Sequence, residues 1–352
     1  MREIQEDLLK HVMFGPSGLQ VSELCLGAMT FGDTYDWGAG LEASRALFDA
    51  YVASGGNFID TANRYQETQS ESYLGEFMQG RRDRLVLATK YSLPMYAPDP
   101  NSGGNHRKSL TVAVEESLRR LKTDYIDLLW MHAWDQVTRS DEVMRALEYL
   151  VASGKVLHIG ASDTPAWVVS RSNAIAELRG WASFTGVQLP YSLLERTPER
   201  DALPMAQALG LGVVAFGCLG AGVLSGKYLE NPDAEGGRIN RPDWPLASTA
   251  RDERVRSIAL EVRDIAGELG ATSSQVAIAW VKAQHESYVP IVGVRTLDQL
   301  RDNLGAAEVA LSEEQLQRLD KLSAIAMGYP WSVLSNISTT TKSARLSKNP
   351  SK

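Results

Sequence analysis

The chain reads as an α/β protein whose strands close into a (β/α)8 TIM barrel. Three observations predict this. Eight short apolar runs recur, at 22–26, 57–60, 85–89, 125–131, 155–159, 184–188, 212–216 and 288–292. Each is apolar throughout rather than alternating, as parallel strands covered on both faces are. Amphipathic segments of helical period lie between them. Strands alternating with helices allow a doubly wound open sheet or a closed barrel. The count of eight and the even spacing favour the barrel.

The elements follow in order. Residues 11–20, HVMFGPSGLQ, read as a β-hairpin turning at Pro16-Ser17-Gly18. Leu110, Val114, Leu118 and Leu121 form one helical stripe. Ser140 is the expected N-cap of the next, with Met144, Leu147, Leu150 and Val151 on one face and Gly154 as the stop. Residues 202–226 carry no charge, which raises the question of a membrane span. Pro204, Gln207 and the recurring glycines argue instead for a helix end, a buried strand and a glycine-rich loop. Val255, Ile258, Val262, Ile265 and Leu269 make the clearest stripe, ended by Gly270. No linker interrupts the chain before about residue 327, so residues 1–327 are expected to be one barrel domain with a C-terminal helix. Residues 328–352, rich in Ser, Thr and Lys, read as an extended tail.

Composition narrows the function. Of 352 residues, 44% are apolar and 22% charged, a globular balance. With 36 basic and 43 acidic residues the net charge is −7, which argues against a nucleic-acid partner. Charges of both signs break up the opening MREIQEDLLKH and no apolar stretch follows, so no secretory signal is expected, and no membrane partner. Two cysteines, Cys25 and Cys218, support neither a disulfide framework nor a cysteine-rich zinc site, and fit a reducing, cytoplasmic setting. The five histidines show no metal-ligand spacing, so no metal is expected. The nearest dinucleotide fingerprint, at Gly210, Gly212 and Ala215, enters a strand instead of leaving one. No phosphate-binding P-loop is present.

Barrel chemistry gathers at the C-terminal ends of the strands. The second barrel strand ends at Asp60, with Tyr65 in the following loop. The third ends at Lys90 and the fourth at His132. Singly, each has an ordinary reading: a loop acid, a packing phenol, a rim imidazole. Lysine behind a buried strand is the least ordinary, because its charge is costly to bury. Together they make an acid–base site. An ammonium beside a phenol favours phenolate and is expected to lower the Tyr65 pKa. Asp60 would hold Lys90 charged. Tyr65 would then give a proton to a carbonyl oxygen oriented by His132.

The segments GGNFIDTANRY at 55–65, LATK at 87–90 and IDLLWMH at 126–132 resemble the aldo-keto reductase family, over about 11–327. The resemblance implies a (β/α)8 barrel, with Asp60, Tyr65, Lys90 and His132 as the catalytic tetrad. It implies a nicotinamide cofactor, with Gly27, Ala28 and Met29 under the ring. Ser162, Asp163 and Gln188 would hold its carboxamide, and Phe216 would stack on it. Many relatives have Asn where this chain has Asp163, which as an anion only accepts hydrogen bonds. The diphosphate would meet Leu219, Gly220, Gly222 and Lys227, although relatives usually have Ser-Pro where this chain has Gly217 and Cys218.

Arg295, Gln299, Asp302 and Asn303 resemble the adenosine end of the family's site. Gln299 and Asn303, four apart, share a helix face, and Arg295 just ahead of that helix favours NADPH over NADH. Trp37 and Trp134 would line the substrate pocket.

The expected reaction is reversible NADPH-dependent reduction of an aldehyde or ketone. The alternative is a redox-sensing regulatory subunit similar to the potassium-channel beta subunits of the same family. The sequence names neither the carbonyl compound nor the oligomeric state.

Overall fold

The computed structural model describes residues 8–229, 252–335 and 337. The expectations for the first seven residues and for 338–352 lie outside the described residues.

A two-stranded antiparallel hairpin comes first, β1 (His11–Met13) and β2 (Gln20–Ser22). Ser22 had been expected to open the first barrel strand. It belongs to the hairpin, paired with His11, and the barrel strand β3 spans only Cys25–Gly27. The other barrel strands are β4 (Phe58–Asp60), β5 (Val86–Tyr91), β6 (Ile126–Met131), β7 (Val156–Ser162), β8 (Phe184–Pro190), β9 (Gly212–Phe216) and β10 (Tyr288–Gly293). They close in the order β10-β3-β4-β5-β6-β7-β8-β9, all parallel. The seam pairs Ile291 with Cys25 and Gly293 with Gly27.

Helices surround the barrel: α1 (Leu41–Ala53), α2 (Gln69–Phe77), α3 (Arg107–Leu121), α4 (Ser140–Ala152), α5 (Ala166–Arg179), α6 (Ala202–Ala208), α7 (Glu253–Leu269), α8 (Ser273–Ala283), α9 (Leu297–Leu304) and α10 (Glu313–Ser323). The stripe on α3 is buried as the spacing predicts. On α7 the stripe is buried except at its end, where Leu269 is exposed ahead of the left-handed Gly270. The N-cap of α4 is Arg139 rather than Ser140, with no side-chain cap; Ser140 is already helical. Residues 331–335 are helical rather than extended. Among the described residues, no helix is long and apolar enough to cross a membrane.

The strands bury both faces because two cores flank them. Outside, helix stripes pack on the sheet. Inside, Phe14, Cys25, Phe58, Val86, Ala88, Leu128, Trp130 and Val214 fill the lower barrel. Phe14 is the plug delivered by the hairpin, edge-on to Phe58 at 5.7 Å and Trp130 at 6.3 Å. Gly186 and Gly212 make room for it: a Cβ at either would lie 2.5 and 2.7 Å from its ring. Strand side chains alternate with period 2, so Phe58 and Asp60 share the inner face, as do Val86, Ala88 and Lys90. The apolar floor therefore rises directly into polar residues at the C-terminal rim.

Candidate active site

Asp60 and Lys90 occupy the layer above that floor, 3% and 1% exposed. A lysine this deep must be paired, because an isolated buried charge is unstable. Its ammonium donates to Asp60 Oδ2 and, at 2.8 Å, to the Thr61 carbonyl. The Lys90 ammonium has three donor hydrogens. Two of them are thereby used, and the Tyr65 side chain lies on the same ammonium. Burial pulls the Lys90 pKa down, but Asp60 and Tyr65 together outweigh it and hold the ammonium above its ordinary range.

The loop after β4 carries Tyr65 over Lys90 by extending the ladder to β5. Thr61 N–H donates to the Ala88 carbonyl at 2.9 Å and Asn63 N–H to the Lys90 carbonyl at 3.3 Å. A tight turn, Tyr65 N–H to Ala62 carbonyl at 3.1 Å, then folds the phenol back. Lys90 Nζ lies 4.7 Å from the centre of the Tyr65 ring. His132, just past β6, is fixed by its own N–H to the Tyr91 carbonyl at 2.9 Å, and its ring meets Tyr65 edge-on at 5.9 Å. Burial, helped by the Lys90 charge, lowers the His132 pKa to about 3, so the imidazole is neutral across the physiological range. Its Nδ1 is buried without a protein partner.

One electrostatic expectation fails. The Tyr65 pKa is raised above 10, not lowered. Desolvation is the largest influence; Lys90 opposes it, but Asp60 offsets part of the Lys90 charge. Tyr65 is thus a firmly protonated phenol with a cation behind it.

The expected cofactor residues separate into groups. Gly27 and Ala28 are buried between Asp60 and the barrel seam, with Ala28 N–H donating to the Asp60 carbonyl at 2.8 Å. Ser162 and Gln188 are paired across β7 and β8. Gln188 gives its amide to Asp60 Oδ1 at 2.8 Å, so it braces the acid as well as facing the rim. Asp163 sits in left-handed backbone (φ 40°), and burial raises its carboxyl above the usual range against the pull of Lys90. Phe216 is partly exposed at the end of β9.

Gly217 (φ 73°) follows Phe216, with nothing within 4 Å of where a Cβ would stand, so the loop offers open backbone at the rim. Gly220 (φ 53°) and Gly222 (φ 93°) keep it left-handed beyond Leu219, and Lys227 lies over the Tyr228 ring at 4.7 Å. Cys218 is buried, its thiol pushed up to about 12. Arg295 N–H donates to Gln299 Oε1 at 2.9 Å, which joins these two residues at the start of α9. Asn303 is buried on that helix, whereas Gln299 is exposed. Asp302 is tied to α8: its carbonyl and carboxylate accept from Gln275 at 2.9 and 3.3 Å.

Two aromatic pairs involve the loops after β3 and β6, the second of them with a partner at the start of α5. Trp37 stacks on Tyr35 at 5.4 Å, and Trp134 meets Trp167 edge-on at 5.4 Å. A groove of about 370 Å³ opens at the ends of β7 and β8, lined by Asp163, Gln188, Leu189, Pro198, Arg200 and Met205 among others. Tyr35 and Trp167, the ring partners of Trp37 and Trp134, carry no signal in the sequence, and neither does Gln66. Gln66 is buried directly after Tyr65 in left-handed backbone, and YQET contains neither glycine nor asparagine to signal it.

A parallel barrel carrying a buried ammonium–carboxylate pair beside a phenol and an uncharged imidazole has the groups that acid–base chemistry at a polar oxygen requires. Comparison with known sequences narrows that class. The profile described as the Aldo/keto reductase family matches residues 23–324, and the chain belongs to that family. It is 38% identical to a norsolorinic acid reductase of Aspergillus flavus, over 95% of this chain and 85% of the relative. It is also 38% identical to an aryl-alcohol dehydrogenase [NADP(+)] of Phanerodontia chrysosporium, over 92% and 88%. An aldo-keto reductase of Aspergillus calidoustus is again 38% identical, over 94% and 86%.

Proposed function

We propose that the protein interconverts an aryl aldehyde or ketone and its alcohol, with NADPH as reductant and Tyr65 as proton donor. The carrying observation is the buried Asp60–Lys90 pair behind a protonated Tyr65 and beside a neutral His132. The name of one relative, an NADP(+) aryl-alcohol dehydrogenase, supports the aryl class and the cofactor, and that of another, a norsolorinic acid reductase, supports the reductive direction.

The rim residues fit a dinucleotide. Gly217 leaves open backbone beside Phe216, Ser162 and Gln188 lie together, and Arg295 stands ahead of α9 for a 2′-phosphate. Bound there, the nicotinamide would supply the hydride to the carbonyl carbon. The chain supplies the proton. As negative charge grows on the carbonyl oxygen, the Tyr65 hydroxyl gives up its hydrogen to it. Lys90 then stabilises the phenolate left behind, and Asp60 keeps Lys90 charged and in place. His132, uncharged, is available to direct the carbonyl oxygen by a hydrogen bond without competing as an acid. The phenolate regains its proton from solvent, and alcohol oxidation runs the same steps backwards.

The test is a panel of aryl and aliphatic aldehydes and ketones, with NADPH and NADH side by side. NADPH consumption should be fastest with aryl carbonyls, and Tyr65→Phe should abolish it. Wild-type turnover in Tyr65→Phe would overturn the assignment.

A further inference from the structure

Directly after Tyr65 the backbone passes through three left-handed residues in succession, none of them glycine: Gln66 (φ 50°), Glu67 (φ 49°) and Thr68 (φ 83°). Each sets a Cβ against backbone, and such a run persists only where its surroundings over-determine it.

Those surroundings are specific. Gln66 is wholly buried. Its Oε1 accepts the Tyr35 N–H at 3.0 Å, and its Nε2 donates to the Met29 carbonyl at 3.4 Å. Its own carbonyl accepts the Thr34 hydroxyl at 3.0 Å. Gln69 completes the clasp, accepting the N–H groups of Asp33 and Thr34 at 2.8 and 3.2 Å. The loop so held is closed on itself by Gly32 N–H to Ala39 carbonyl at 2.8 Å and Ala39 N–H to Thr30 carbonyl at 2.7 Å. The fit is close: a Cβ on Gly32 would stand 2.4 Å from the Gln66 Cβ. One buried amide therefore joins the turn that aims Tyr65, the Met29 backbone and the stacked Tyr35–Trp37 wall.

We propose that Gln66 is a positioning and specificity residue, whose amide locks the Tyr35–Trp37 wall to the Tyr65 turn. A carbonyl compound broad enough to rest on that wall is then held with its oxygen in register with the phenol. A small carbonyl that does not reach the wall gains little from the lock. The strained backbone belongs to the same device, since it turns the Gln66 amide inward beneath the wall. The role rests on Tyr65 as the proton donor.

Two variants test it. Gln66→Gly relaxes the left-handed backbone and removes the amide; Gln66→Met keeps the volume and removes the hydrogen bonds. In both, the kcat/KM ratio of a bicyclic aryl aldehyde to a short aliphatic aldehyde should fall roughly tenfold, mainly through KM of the broad substrate. Amide exchange at Tyr35 should quicken in both, because its acceptor is gone. Equal losses for the two substrates would overturn the specificity role. An active protein with unchanged Tyr35 exchange in both variants would overturn the lock alone. A wild-type protein that reduces no carbonyl would overturn the proposed function, and this role with it.

Discussion

Gln188 donates its side-chain amide to Asp60 Oδ1 at 2.8 Å across the barrel, 128 residues away in sequence. Lys90 takes the other carboxylate oxygen. Both oxygens of Asp60 are thus bound, which fixes the carboxylate under the ammonium. Gln188→Ala should cost about 1.5–3 kcal/mol of stability, the range for a hydrogen bond to a charged group. It should also lower kcat, because Asp60 gains freedom to turn from Lys90. Thermal unfolding and steady-state kinetics check both.

Removing one member of the buried pair should be worse than removing both. Lys90→Met strands a carboxylate in the barrel and should destabilise by about 3–5 kcal/mol. Combining it with Asp60→Leu should recover much of that stability. Neither variant should recover activity, which is expected to fall ~100-fold or more. A denaturant series on the single and double variants separates the two effects.

The pH profile follows from a raised Tyr65 pKa. The acid form serves reduction, so its rate should hold level through neutral pH and decline only above pH 10. Alcohol oxidation needs the phenolate and should climb over the same alkaline range. A reduction rate already falling near neutrality, in step with Tyr65 ionisation, would contradict this.

His132 gives a prediction of opposite sign for stability. Its folded pKa, about 3, lies below its ordinary value of 6.5. Between these values the unfolded chain binds a proton that the folded chain refuses, so stability is lost as pH falls through this window. Relative to His132→Asn, wild type should lose up to roughly 1.4 kcal/mol per pH unit there. Unfolding free energies at several acidic pH values measure the difference.

Arg295→Leu should raise KM for NADPH about tenfold or more while changing KM for NADH little, since only NADPH carries the extra phosphate. Equal effects on both nucleotides would remove Arg295 from phosphate recognition.

The barrel was legible because parallel strands covered on both faces leave unbroken apolar runs. Asp60 and Lys90 stood out for the same reason, as charges at the ends of such runs. Ser22 was misassigned because hairpin and barrel strand are separated by only Glu23 and Leu24, and periodicity cannot divide so short a stretch. The sign of the Tyr65 shift was hidden, since it depends on how far burial outweighs Lys90. Gln66 was hidden because its left-handed backbone is imposed by loop 29–39, not by its own residue type. The contact of Asp302 with Gln275 was hidden too, since only the packing of α9 on α8 brings the two together.

The seam between β3 and β10 also orders events during synthesis. β3 is made from residues 25–27, yet one of its two neighbours, β10, is made from residues 288–293. Asp60, Tyr65, Lys90 and His132 therefore leave the ribosome long before the sheet can close. Until residue 293 emerges, the edges of β3 and β9 that await β10 stay unpaired and open to other chains. A truncation anywhere before residue 288 therefore removes the strand that joins β3 to β9, and with it the closed barrel.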